Sequence, residues 1–185
     1  MDIGAGTAAI ELYLIKNYMK SNCTHPITIY LVDPDESMLS KAAKNLNLPF
    51  EMNKNIPIKQ TNDKISIKFL NCLVQDLKLA DFVANPIDIV TSSFVFHHIP
   101  LPGKVSTFKV LSQIMRGNKK GAFMIADFMA EKHNAIRRFF GKFEEIWSSD
   151  MILGMLKDAG FVNVRSEYIT RALLWPVHMY MGEKL

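Results

Sequence analysis

Two cysteines in 185 residues, Cys23 and Cys72, are too few and too far apart to form a disulfide framework. Neither belongs to a C-x-x-C pair, and no His/Cys cluster has metal-site spacing, so no metal is expected. No apolar run approaches the roughly 18 residues that a membrane-spanning helix needs. The first residues lack the basic-then-apolar pattern of a secretory signal. Charge of one sign is also scarce: the formal net charge of +4 comes from dispersed lysines and arginines. The short pairs Lys119-Lys120 and Arg137-Arg138 read as solvated surface, and this charge does not indicate nucleic acid. There is no internal repeat and no low-complexity tract. What remains is one domain over 1–185, with 49% hydrophobic and 22% charged residues, enough to bury a core without staples. A soluble protein of the reducing cytoplasm is expected.

What is present is an alternation. Apolar, β-branched runs predict strands over 27–32, 65–70, 87–96 and 122–128. Between them apolar residues recur at helical spacing: Ile10, Leu14 and Tyr18 over 7–20, and Leu39, Ala42 and Leu46 over 36–46. Over 103–116 the stripe is Val105, Phe108, Leu111 and Met115, with Gly117 where a helix C-terminal glycine belongs. Ser149 and Asp150 are placed to cap a last helix carrying Ile152, Leu156 and Ala159 and stopped by Gly160. Strand and helix in alternation predict an α/β fold, a Rossmann-like, doubly wound and mostly parallel sheet. The end departs from this pattern. Segments 161–168 and 173–181 have no helix between them and are expected to pair antiparallel. Residues 47–64, polar and with Pro49 and Pro57, read as a long surface loop, and 130–147 as a helical insertion.

Asp2-Ile3-Gly4-Ala5-Gly6-Thr7 precedes the first helix. Two glycines at i and i+2 allow a tight turn and let a ligand approach the backbone. The helix that follows offers N–H groups at its start. The same residues satisfy G-x-G-x-x-G/A, so a dinucleotide site competes. Asp2 argues for a different ligand: a carboxylate at the strand end repels a pyrophosphate and attracts an ammonium. Further along, Asp33 ends the second strand in Leu31-Val32-Asp33-Pro34, where a carboxylate can accept both ribose hydroxyls. Asp33 or Asp35 could equally cap the next helix, and Pro34 suits its first turn. Thr91 to Phe94 and the pair His97-His98 sit at the carboxyl end of the fourth predicted strand, where open parallel sheets bind ligands.

Together these motifs resemble class I S-adenosylmethionine-dependent methyltransferases. The resemblance is carried by Asp2-x-Gly4-x-Gly6, by Asp33, and by D-[ILV]-V-x-x-S-x-x-x-H-H over 88–98. Asp158-Ala159-Gly160-Phe161-Val162-Asn163-Val164 resembles a segment near that family's carboxyl end, so the match runs from Asp2 to about Met181. Asp33-Pro34-Asp35-Glu36-Ser37-Met38-Leu39 and Ser93-Phe94 are similar to the ubiquinone/menaquinone C-methyltransferase group. The resemblance implies S-adenosylmethionine as cofactor. Asp2, Gly4, Ala5, Gly6 and Thr7 would surround its methionine portion, and Asp33 with Pro34 would hold the ribose. Leu73 and Val74 would meet the adenine, and Ser93 with Phe94 would lie beside the methionine amine. Two positions depart from the pattern. Ala8 stands where the third glycine is usual, a small change that a helix start should tolerate. Leu73 stands where an acid or amide is usual, which leaves the adenine amine to Asp76 or to no side chain.

Methyl transfer from a sulfonium is an in-line displacement in which the protein orients the reactants and excludes water. His97, His98 and Asp127 are the candidates for a general base, each also readable as a packed or turn residue. The acceptor is expected to be a small or lipid-like molecule, and Ile136, Phe140, Phe143 and Trp147 could form a lid or a peripheral membrane face. Two alternatives stand beside this reading: a dinucleotide-dependent oxidoreductase and an inactive methyltransferase-like module. Met1, Asp2 and Ile3 are all that precede the glycine turn, against about 5–6 residues in a typical strand. The first strand is therefore expected to be incomplete and the chain truncated, with weak cofactor binding by this chain alone.

Overall fold

A computed structural model describes residues 1–61, 63–129, 148–172 and 175–185. They form two compact units, Met1–Leu73 and Val74–Leu185. In the first, β2 (Ile27–Val32) runs between β1 (Asp2–Ile3) and β4 (Ile65–Leu70) and is parallel to both. The register pairs Asp2 with Leu31 and Ile3 with Val32 on one side, and Ile27 with Ile65 through Val32 with Leu70 on the other. Ile65, Ile67, Phe69 and Leu31 are buried, as expected for parallel strands with no solvated face at these positions.

Helix α2 (Glu36–Asn45) turns Leu39, Ala42 and Ala43 into this core, the predicted stripe. Its cap is Asp35, whose carboxylate accepts the Ser37 N–H at 2.8 Å. Helix α1 (Ala9–Lys20) differs from expectation. Ile15 and Tyr18 pack on the core while Leu14 is exposed, and the buried residue of the helix is Glu11. The 47–64 segment is a correction. It is not a plain surface loop, because Ile56–Pro57 forms β3 against the edge of β4 and buries Ile56 and Ile58. Two isoleucines flanking a proline suit an edge strand, since Pro57 has no N–H to donate.

In the second unit, β5 (Ile89–Ser93) is parallel to β6 (Gly121–Phe128), pairing Ile89 with Ala122 through Ser93 with Ala126. Strand β5 is shorter than predicted: Phe94 turns left-handed at φ 56°, and Phe96–His98 is a single 3-10 turn. Helix α3 (Leu101–Ile114) buries Phe108, Leu111 and Ile114. It ends in extended backbone at Met115, so Gly117 is not its cap. Helix α4 (Ser149–Asp158) begins after Ser148, and the Ser149 hydroxyl is used elsewhere rather than as the cap. The last two strands, β7 (Phe161–Ala172) and β8 (Trp175–Lys184), pair antiparallel as expected, and β8 also pairs antiparallel with β6. Strand order is β3-β4-β2-β1 in the first unit and β5-β6-β8-β7 in the second. The fold is α/β, parallel where helices intervene and antiparallel at its carboxyl end. The helical segment expected over 130–147 lies outside the described residues.

Candidate active site

The glycine turn rests on the end of β2. The N–H groups of Gly4 and Ala5 both donate to the Val32 carbonyl, at 2.7 and 3.2 Å. Gly4 and Gly6 hold φ of 64° and 52°, the left-handed region that glycine enters without a side-chain penalty. A Cβ built on Gly6 would meet only the Gly4 carbonyl, at 3.8 Å, so that side of the turn is open for a ligand. Ala8 also stands left-handed, at φ 63°, and is fully buried. The missing third glycine therefore has a cost, contrary to expectation: the Cβ of a non-glycine residue there is unfavourable by about 1 kcal/mol. Ala8 is the N-cap of α1 and offers no side-chain acceptor; the Glu11 N–H of the first turn is met by its own carboxyl, which leaves the earlier amides and the positive helix end to a ligand.

Asp33 braces this turn. Its Oδ2 accepts the Gly6 N–H at 3.0 Å and its Oδ1 accepts the Asp35 N–H at 2.9 Å. Each oxygen keeps a second lone pair, so a diol can still bind. Asp35 caps α2, and Asp33 is thereby relieved of that role. Two residues that motif reasoning missed complete the frame. Asn71 donates to the carbonyls of Asp33 and Pro34, at 3.0 and 2.9 Å, and Asn45 donates to the Thr7 carbonyl at 3.1 Å. Both follow an element's last apolar residues, where a side-chain amide can reach a neighbouring turn.

Asp2 and Glu11 are almost fully buried, at 4% and 2% exposure. They share a hydrogen bond, and Glu11 Oε2 has no partner of its own. Burial, then the charge of Asp2, pushes the Glu11 carboxyl up to about 8. At neutral pH Glu11 is therefore the proton-bearing member, donating to Asp2. Leu73 is exposed at the end of the first unit. Val74 is buried at the start of the second, in a 3-10 turn that leaves Asp76 exposed.

The second unit brings together three of the predicted residues. The His97 N–H donates to Asp127 Oδ2 at 3.0 Å, and His97 Nδ1 lies 2.8 Å from Asp127 Oδ1. Their side chains are 7% and 4% exposed. Asp127 also accepts the Phe128 N–H, at 2.7 Å, which fixes the carboxylate. A carboxylate on Nδ1 selects the tautomer in which Nε2 carries the basic lone pair. The His98 ring lies 3.9 Å from that of His97, and burial, then His97, holds its pKa below the usual range against the pull of Asp127. Ser93 ends β5, and the Phe94 ring leans on Phe128 with centroids 5.1 Å apart.

Behind His97 and Asp127 a small cavity is walled by Phe96, Phe108, Ile125 and Ile152, and reached by Lys104 and Tyr180. Lys104 is buried, its ammonium donating to the Ile99 carbonyl. The Tyr180 hydroxyl lies 3.3 Å from the Ser149 hydroxyl, itself 3.4 Å from His178 Nδ1. His178 stands opposite Asp127 in the β6–β8 register, and burial lowers its pKa. None of Lys104, Tyr180 and His178 was anticipated. Lys104 was legible in principle, since 104, 108, 111 and 115 continue one helical stripe.

An acid, a glycine turn and an uncapped helix start at the carboxyl end of a parallel strand define a nucleoside-cofactor-binding α/β protein. The family model described as Methyltransferase domain matches residues 1–160, and the chain belongs to that family. This sets aside the oxidoreductase alternative. Among curated proteins none matches in sequence. Solved structures match at the level of fold. Phosphoethanolamine N-methyltransferase 2 of Haemonchus contortus, in complex with phosphomonomethylethanolamine and S-adenosylhomocysteine, has a TM-score of 0.70 at 12% identity over 99% of this chain and 48% of its own. The mitomycin 7-O-methyltransferase MmcR gives 0.69 at 13% identity over 100% and 48%. Magnesium protoporphyrin IX methyltransferase of Synechocystis PCC 6803, with bound SAM, gives 0.65 at 13% identity over 100% and 68%. The chain spans about half the length of most of these proteins. Among the described residues no helix is long and apolar enough to cross a membrane.

Proposed function

We propose that this chain carries out methyl transfer from S-adenosylmethionine to a small or lipid-like acceptor. One observation carries the reading: the glycine turn before α1 is held by Asp33 against the end of β2, with Asp2 and Glu11 buried beside it. The turn and its acids suit a zwitterionic amino acid. The α1 amino end attracts its carboxylate and Asp2 its ammonium, while Asp33 offers lone pairs to a ribose. Leu73, at the end of the same unit, would meet the adenine through its backbone. When bound, S-adenosylmethionine supplies an activated methyl group on sulfur. The protein's part is to orient, exclude water and remove a proton from the acceptor where it carries one. We assign that removal to Nε2 of His97, with Asp127 as the residue that positions it and His98 as its neutral neighbour.

Family membership and the Asp2 carboxylate both support a cationic cofactor over a dinucleotide. The thiols Cys23 and Cys72 support a reducing, cytoplasmic setting. Calorimetric titration with S-adenosylhomocysteine, NAD and NADP tests the cofactor. Binding of S-adenosylhomocysteine alone is expected, and binding only of a dinucleotide would overturn the reading.

A further inference from the structure

Glu11 is the one side chain of α1 buried to 2% exposure, and it is an acid. Leucine or isoleucine at this position would seal the core without cost, so its carboxyl needs another account. It lies against Asp2, the acid that ends β1 immediately before the glycine turn, and its Oε2 has no partner. The groups acting on its charge are Asp2, which opposes ionisation, and its own backbone N–H, which favours it. Asp33, the other buried acid of this unit, is engaged with the Gly6 and Asp35 amides. Two buried carboxyls in contact cannot both ionise without a cation beside them, so they hold one proton between them.

We propose that Glu11 is a positioning residue for the cationic end of the cofactor: its carboxyl proton orients Asp2 before binding and leaves to solvent when an ammonium docks against the pair. The inference rests on the reading that the glycine turn takes the amino-acid end of S-adenosylmethionine. The balance is simple. The pair passes from one negative charge to two, the ligand ammonium keeps its own proton, and one proton goes to water. An opposite charge within about 4–6 Å lowers a carboxyl pKa by about 1–3 units. Starting near 8, Glu11 then ionises at neutral pH once the ligand is present. Cofactor affinity is thus tied to pH through a residue that the glycine motif does not include.

The test is titration of the chain with S-adenosylhomocysteine from pH 6.5 to 9, in buffers of different ionisation enthalpy, alongside adenosine, which lacks the amino-acid end. Wild type is expected to release a fraction of a proton near pH 7 with S-adenosylhomocysteine and none with adenosine. Affinity for the former should rise about three- to tenfold from pH 6.5 to 8. Glu11→Gln keeps a donor to Asp2 but cannot supply the second negative charge, so it should bind more weakly than wild type at pH 8 and lose both the release and the rise of affinity with pH. Glu11→Leu should lose affinity at every pH. The ligand amine titrates in the same range and contributes equally to all variants, so their difference isolates Glu11. Equal proton release by wild type and Glu11→Gln would overturn the role of Glu11 while leaving the cofactor reading intact. Identical proton release with adenosine and S-adenosylhomocysteine in wild type would overturn it without any variant. Failure of wild type to bind S-adenosylhomocysteine would overturn both.

Discussion

His97 Nδ1 lies 2.8 Å from Asp127 Oδ1, joining the turn after β5 to the end of β6 across thirty residues of sequence. A second contact, from the His97 N–H to the other carboxylate oxygen, makes the pairing geometrically rigid. Removing the carboxylate frees the imidazole to change tautomer and turn. In Asp127→Asn the methyl transfer rate is expected to fall about 10²–10⁴-fold wherever the acceptor must lose a proton. Nitrogen chemical shifts of His97 provide a check that needs no acceptor. The neutral imidazole of the wild type should show the single tautomer with its proton on Nδ1, and Asp127→Ala a mixture of both tautomers.

Asp33 holds the turn itself, because its oxygens accept the Gly6 and Asp35 amides. Asp33→Ala leaves the half-buried Gly6 amide without its acceptor, at about 1 kcal/mol, and returns the exposed Asp35 amide to water. The expected outcome is a lower unfolding midpoint in urea together with at least a tenfold loss of S-adenosylhomocysteine affinity. Asn71→Ala, which removes a brace but no ligand contact, should lower affinity by a smaller factor.

Ala8 is the residue to replace for stability. Its φ of 63° carries a side-chain penalty that glycine does not have. Ala8→Gly is expected to stabilise the chain by about 1 kcal/mol, somewhat reduced by the entropy that glycine adds to the unfolded state. Denaturant midpoints of the two proteins measure it, and a destabilised Ala8→Gly would show that the turn is unstrained.

Stability should fall as pH rises through neutrality. The Glu11 carboxyl is raised from 4.5 to about 8 in the folded chain, so between these values the native state binds more protons than the unfolded one. The slope of unfolding free energy with pH is then negative, up to about 1.4 kcal/mol per pH unit for one group. The contribution is fully present below about pH 4.5 and gone above 8. Glu11→Gln should flatten this decline, making the variant relatively more stable at pH 9 than at pH 5. Thermal melts across that range report it.

Much of the scaffold was legible in the chain. Strands 27–32 and 65–70 were read to the residue, and the antiparallel closing pair followed from the missing helix between its strands. The misreadings have specific causes. The 47–64 segment looked polar because Ile56 and Ile58 flank a proline, which an edge strand accepts. The apolar spacing over α1 marks Ile10, Leu14 and Tyr18, of which Tyr18 packs on the core while Leu14 is exposed and Glu11 is buried. The contact of Glu11 with Asp2 reaches back across the glycine turn to β1 and is invisible to periodicity. Gly117 resembled a helix stop, but α3 ends two residues earlier in extended backbone.

The sequence by itself determined the alternation of strand and helix, the glycine turn with Asp2 ahead of it and the acid at the end of β2. These are local patterns, dictated by side-chain period and backbone freedom over a few residues. Only the tertiary structure decided that Ala8 is left-handed, that Asp33 binds the turn while Asp35 caps, that His97 meets Asp127, and that Glu11 keeps its proton. Each of these depends on how the folded chain is arranged around the residue and on how much water is removed from it, and neither quantity is written in the order of residues.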